Sequence, residues 1–180
     1  MQKIIMVLGT VSLSLAAGAQ AQSLGKILDK LANTAQGDAV TPSAAQTSAI
    51  AAALNARQGN PRIASDVAEA RPLLERTLRT LSCATAAPAL NSLNRARLEP
   101  QTYQAYHTYY YVPTGRTKFH DKRRCMDVVR LGEWKKPAAN ILSVRAYFVS
   151  PSSEEAVSQE VVYQREEGGA WLIRSIEIVR

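Results

Sequence analysis

Cys83 and Cys125 are the only cysteines in 180 residues, and the stretch at the start of the chain decides what they do. Lys3 supplies a positive charge, Ile4 to Ala17 form an apolar run, and Ala19-Gln20-Ala21 places small residues at −3 and −1 of a cleavage point before Gln22. That is the pattern of a secretory signal peptide. A retained anchor needs roughly 20 apolar residues, whereas Ser12, Ser14 and Gly18 interrupt this run and no second long one exists. The mature chain is therefore expected to be soluble, without a membrane span, and periplasmic or secreted after cleavage behind Ala21. In an oxidising compartment two cysteines read as a pair. Joining Cys83 to Cys125 closes a loop of about 43 residues and stabilises the fold by about 4 kcal/mol in the chain-entropy model. The alternative, a thiolate served by His107 or His120, has no thiol-enzyme signature around either cysteine.

What remains after residue 21 is enough for one domain and a tail. A hydrophobic fraction of 46% argues for a core rather than for disorder throughout. Residues 22 to 62 read as a flexible N-terminal arm. Leu24, Ile27, Leu28 and Leu31 fall at helical spacing, and Gly37-Asp38 and Thr41-Pro42 break that helix. Ala-rich residues 44 to 57 form a second short helical segment ended by Gly59-Asn60-Pro61. Helices this short are marginal alone, so they either dock or fray, and the Ala, Thr, Ser and Gln of residues 33 to 50 favour fraying.

The domain proper is expected over 63 to 180. Ser65 or Asp66 is a candidate helix cap, with Asp66 and Glu69 at capping-box spacing. Pro72 marks a kink or a fresh first turn. Beyond it Leu74, Leu78 and Leu81 make an apolar stripe that ends at Cys83, and Glu75 and Arg79 form an i,i+4 pair. Pro88 opens a further helical stretch with Leu90, Leu93 and Arg97, closed before Pro100. From Gln101 the pattern turns to strands: a tyrosine-dense run at 103 to 112, then 124 to 134, 141 to 149, 156 to 165 and 170 to 179. In the third of these, Leu142, Val144, Ala146 and Phe148 face one way. In the fourth, Val157, Val161 and Tyr163 do. Pro113-Thr114-Gly115 and Glu166-Glu167-Gly168-Gly169 are turns. Helices followed by antiparallel strands predict an α+β fold, with N-terminal helices packed on a curved antiparallel sheet and one disulfide.

The closing stretch VVYQREEGGAWLIRSIEIV resembles the final hairpin of nuclear transport factor 2-like domains, through Glu166, Glu167, Gly168, Trp171, Ile173 and Ile176. The order of helices then strands over 63 to 180 agrees with that family. The resemblance implies a cone-shaped fold whose concave sheet face encloses a pocket. It implies no activity, because such folds carry both enzymes and binding modules.

Charge bears on partners. The chain has net charge +7, and residues 116 to 136 hold eight basic side chains against three acidic ones. Arg116, Lys118, Lys122, Arg123 and Arg124 lie beside the tyrosine run, and Arg130, Lys135 and Lys136 extend the band, so that most of these cations flank one expected hairpin. Cations interleaved with aromatics are what binding of an anionic envelope polymer requires; a solvated face is the plainer account. Tyr103, His107, Tyr109 and Tyr111 share one face of the tyrosine strand and complete this candidate binding surface. His107 with Asp127 would make an acid–base pair in a pocket, against the simpler reading of a histidine bonded at the sheet surface. His120 sits in a charged loop. Two histidines 13 residues apart, with no adjoining Cys or Glu ligand, make no metal site. No cofactor fingerprint, P-loop, Gly-x-Ser-x-Gly or His-Glu-x-x-His occurs. The expectation is a non-catalytic envelope or periplasmic binding domain, its partner an envelope protein or anionic envelope polymer. Nucleic acid is disfavoured and a homodimer stays open. The alternatives are a small-molecule pocket enzyme using His107 and Asp127, or a structural subunit of an envelope complex.

Overall fold

In the computed structural model, residues 41–56, 59–84, 90–101, 112–118 and 125–179 are described. They contain two α-helices, α1 (Ala44–Asn55) and α2 (Pro61–Cys83), and four strands, β1 (Asp127–Ala138), β2 (Ile141–Val149), β3 (Ala156–Arg165) and β4 (Trp171–Ile178). The strands pair antiparallel in the order β1-β2-β3-β4, and both helices contribute to the core that covers one sheet face. The fold is α+β, as expected.

α2 starts earlier than Ser65. Asn60 accepts from the Arg62 N–H at 2.9 Å and Pro61 takes the first helical position, where its missing N–H costs nothing. The Gly59-Asn60-Pro61 break that ends α1 therefore also begins α2, and Ser65 and Asp66 fall in its second turn instead of capping it. Ile63, Val67, Ala70, Leu74, Leu78 and Leu81, spaced by three or four, are all buried. Each large one contributes about 1.5–3 kcal/mol relative to exposure. The helix continues through Pro72, which lies on the exposed face where water reaches the carbonyl its ring leaves without a donor. Arg71 and Arg79 both face Glu75, at 3.0 and 4.0 Å.

α1 lies within the stretch read above as an arm, yet Ile50 (1% exposed) and Leu54 (3%) belong to the same core as α2. A twelve-residue helix is marginal in water, and this one is held by those two side chains and its cap. The amphipathic run Leu24 to Leu31 lies outside the described residues.

Leu142, Val144, Ala146 and Phe148 of β2 point inward and are fully buried, facing Tyr163, Val161, Gln159 and Val157 of β3 in register; of these only Val157 is partly exposed. Ile173 and Ile176 extend that face across β4. Between β3 and β4, Glu166 N–H bonds to Ala170 O and Gly169 N–H to Glu166 O, both at 2.9 Å. Gly169 sits at φ +85°, a conformation glycine adopts without penalty. Glu69 of α2 receives Arg165 at 2.9 Å and the Trp171 indole N–H at 3.4 Å, fastening this hairpin to the helix.

β1 runs to Ala138 rather than residue 134, with register shifts after Val128, Gly132 and Lys135. The helical stretch expected from Pro88 is, in its described part, α-helical at Leu90 and Asn91 and passes through a turn into a 3-10 segment, Asn94–Ala96. The chain leaves it to run beside β4: Arg97 bridges to Ile173 in parallel, and Leu98 N–H donates to Ile173 O at 2.9 Å. The Pro113-Thr114-Gly115 turn is a 3-10 segment, Pro113–Arg116, tied back by the Thr114 hydroxyl donating to Ala84 O at 2.6 Å.

The Cys83–Cys125 disulfide is formed, with Cα atoms 4.2 Å apart. It joins the end of α2 to the residue two before β1, and Met126 N–H donates to Ser82 O at 2.8 Å beside it. The opposite end of β1 is tied to α2 as well, because Lys136 pairs with Asp66, whose side chain is 7% exposed. Among the described residues no helix is long and apolar enough to cross a membrane.

Candidate functional site

α1 carries no charged residue in AAQTSAIAAALN. With Ile50 and Leu54 turned to the core, Ala45, Ala49 and Ala52 are left exposed on the opposite side. What sets this alanine wall in place is Gln46. Its Oε1 accepts from the Ser43 N–H at 3.0 Å while Ser43 Oγ accepts from the Gln46 N–H at 3.2 Å, a reciprocal cap. Its Nε2 donates to Cys125 O at 3.0 Å and to Asp127 Oδ1 at 2.7 Å. One amide thus closes the helix and holds it against the start of β1.

Between the two elements lies an open groove of about 510 Å³. Ala45, Gln46, Ala49, Ala52 and Ala53 form its helical wall, and Asp127, Val128 and Val129 form the strand side. Val129 is 57% exposed, the one large hydrophobic side chain standing in solvent among the described residues. β1 is a terminal strand of the sheet, so its outer backbone edge has no strand beside it among the described residues. Apolar lining with a few polar groups at one end is the usual composition of a binding cleft.

Of the residues expected to bind or catalyse, Tyr103, His107, Tyr109, Tyr111, Lys122, Arg123, Arg124 and also His120 lie outside the described residues. Asp127 lies in the groove, its carboxylate accepting from Gln46. Arg116 is engaged structurally: its guanidinium donates to Ser158 O at 2.7 Å and Val179 O at 3.3 Å, and burial lowers its pKa. The Lys118 backbone N–H donates to Glu155 at 2.8 Å. The cations of β1 separate. Arg130 lies over the Tyr147 ring at 4.1 Å on the outer sheet face, Lys135 faces Glu160 at 3.8 Å, and Lys136 reaches under α2 to Asp66. Residues 127 to 138 are one strand paired with β2, so Arg130, Lys135 and Lys136 are strand residues, whereas Lys122, Arg123 and Arg124 of the expected hairpin lie outside the described residues.

Glu133 is the centre of the outer-face network. The Tyr147 hydroxyl donates to it and Arg145 pairs with it at 2.8 Å. Above all that hydrogen bond, with Arg145, Lys135 and Arg130 adding to it, holds its carboxyl below the ordinary glutamate value against desolvation, which ranks second and raises it. In the core the Tyr163 phenol is pushed far upward by burial, partly offset by Thr77, so it stays neutral. Among the described residues no group of three His, Cys, Asp or Glu side chains is placed to hold a metal.

Pattern reading overlooked the groove. Two signals for it were in the chain: Ser43 and Gln46 have capping-box spacing, and the alanines at 45, 49, 52 and 53 flank the only large apolar residues of the helix. Comparison of the chain with protein-family models, curated proteins and solved structures finds no match in any of the three.

Proposed function

We propose that this chain is an exported, non-catalytic interaction module that holds an envelope partner protein in the groove between α1 and β1. The observation that carries this is the placement of an uncharged alanine wall beside a terminal strand that has no further strand next to it among the described residues, with Val129 in solvent. Export is supported by the leader-like pattern of residues 1 to 21 and by a disulfide, a bond that persists in oxidising compartments. Kinship with nuclear transport factor 2-like domains is proposed on the same footing as before, from the hairpin that joins β3 to β4.

The test places a photo-reactive phenylalanine at Ala49, in the groove, or at Ala68, on the exposed side of α2, in the full chain expressed in its own envelope. Adducts are expected at position 49, absent at 68, and lost when Ala52→Arg is added. Equal labelling at both positions, or labelling that ignores Ala52→Arg, refutes the proposal.

A further inference from the structure

The Gln46 amide donates to both sides of Met126, to Cys125 O at 3.0 Å and to Asp127 Oδ1 at 2.7 Å. The other end of α1 has an anchor of its own, since Asn55 Oδ1 accepts from the Arg71 guanidinium of α2 at 2.6 Å. The N-terminal half of α1 therefore depends on where residues 125 to 127 sit. Met126 and Val128 are buried, but burial is non-directional, whereas the amide needs the Cys125 carbonyl at the distance and angle of a hydrogen bond. Two backbone features help to aim it. Met126 N–H donates to Ser82 O at 2.8 Å, and Asp127 and Val128 pair with Val149 and Phe148. A register shift before Arg130 separates those two pairs from the rest of the ladder. The remaining tie is the bond to Cys83, 42 positions earlier in the chain, which closes a long loop at an entropic cost. The sulfur bridge thus fixes the carbonyl on which α1 is seated.

We propose that oxidation of Cys83 and Cys125 seats α1 against the start of β1, so that the helical wall of the groove is complete only in the disulfide-bonded chain. Seating is independent of what the groove holds. In the oxidation each thiol gives up its proton, two electrons pass to the disulfide of an exchange oxidant, and that oxidant leaves as a dithiol. α2 and the sheet do not need this step. α2 has its own buried stripe and the Asp66–Lys136 pair, and β2 and β3 pair without a register shift. Once formed, the bond is buried, with Cys83 at 9% and Cys125 at 4% exposure, and an attacking thiolate needs access to sulfur. The device is therefore a latch that closes once, not a reversible switch. A chain still carrying both thiols, as in a reducing compartment, has α2 and the sheet without the seated wall.

Backbone NMR tests this on the full chain in three forms: oxidised, refolded in a phosphine reductant, and carrying Cys83→Ser with Cys125→Ser. In the two forms without the bond, the Cα shifts of α1 are expected to fall toward coil values from the N-terminal end, while those of α2, β2 and β3 keep their offsets. Amides Thr47 to Ile50 should exchange at least about tenfold faster relative to those of α2. Gln46→Ala in the oxidised chain should reproduce that loss. In the reduced chain it should change the same rates less than about twofold, because the contact it removes is already gone. Helical α1 shifts that survive both reduction and the double serine change overturn the proposal. So does a joint loss of α1, α2 and the sheet, which would make the bond a clamp on the whole fold. A Gln46→Ala effect as large in the reduced chain as in the oxidised one also overturns it, since amide and bond would then act independently.

Discussion

α1 and α2 reach the same sheet by different means. α2 presents a continuous apolar stripe to the core and is bonded to β1 at both of its ends, covalently through Cys83–Cys125 and ionically through Asp66–Lys136. α1 presents two large apolar side chains and one amide, and leaves the rest of its surface to the groove. A helix anchored along its length serves as scaffold. A helix anchored at a few points forms a wall whose outer side is free to bind.

The largest effect is expected at the covalent anchor. Replacing Cys83 and Cys125 together by Ala removes about 4 kcal/mol in the chain-entropy model, read from urea unfolding of the oxidised protein. A loss under about 1 kcal/mol would mean that the backbone bond from Met126 to Ser82 and the core already hold α2 without the sulfur bridge. The ionic anchor comes next. Lys136→Met leaves the buried Asp66 carboxylate without its partner and costs about 3 kcal/mol. Adding Asp66→Leu restores most of that, since the pair's desolvation cost disappears with both charges. A double variant as unstable as the single one would show that the pair stabilises in its own right.

The α1 anchor is weaker and local. Gln46→Ala removes the capping reciprocity and the bonds to Cys125 O and to Asp127 of β1, and costs about 1–2 kcal/mol. Hydrogen exchange should show α1 amides losing protection while those of α2 keep theirs. Loosening of both helices together would abolish the distinction between scaffold and wall.

That distinction also explains what the sequence did and did not disclose. β2 and β3 were readable to the residue, because strict alternation and flanking turns leave one register that buries Leu142, Val144, Ala146 and Phe148. The stripe of α2 and the pairing of Cys83 with Cys125 were readable for the same reason, each being a local pattern with one physical solution. α1 buries only two large apolar side chains, Ile50 and Leu54, and adds the Gln46 amide; two residues make no stripe, so its composition pointed to fraying. Asp66 looked like a cap because its partner, Lys136, is 70 residues away. The groove is a product of that long-range packing: the Ser43–Gln46 spacing and the alanines of α1 are legible as its helical wall, but no local pattern brings β1 beside them. The tyrosine run and the cations 122 to 124, the surface favoured by composition, fall outside the described residues.

The outer sheet face, which neither helix touches, sets the lower limit of the comparison. Tyr147→Phe removes the hydrogen bond that contributes most to lowering the Glu133 pKa. The carboxyl is then expected to titrate closer to its ordinary value, still held somewhat low by Arg145, Lys135 and Arg130, as measured by carbon NMR of the side chain. The sign follows from the depressed folded-state value: the carboxylate contributes stability above the unfolded-state pKa and loses it as pH falls through the folded one. Glu133 is solvent-exposed, so the effect on unfolding is small and screened by salt. Tyr147→Phe should therefore shift the titration clearly while moving the acid limb of the stability curve only slightly. A large destabilisation near neutral pH would show that the outer network, and not α2, holds β1 in its bulged path.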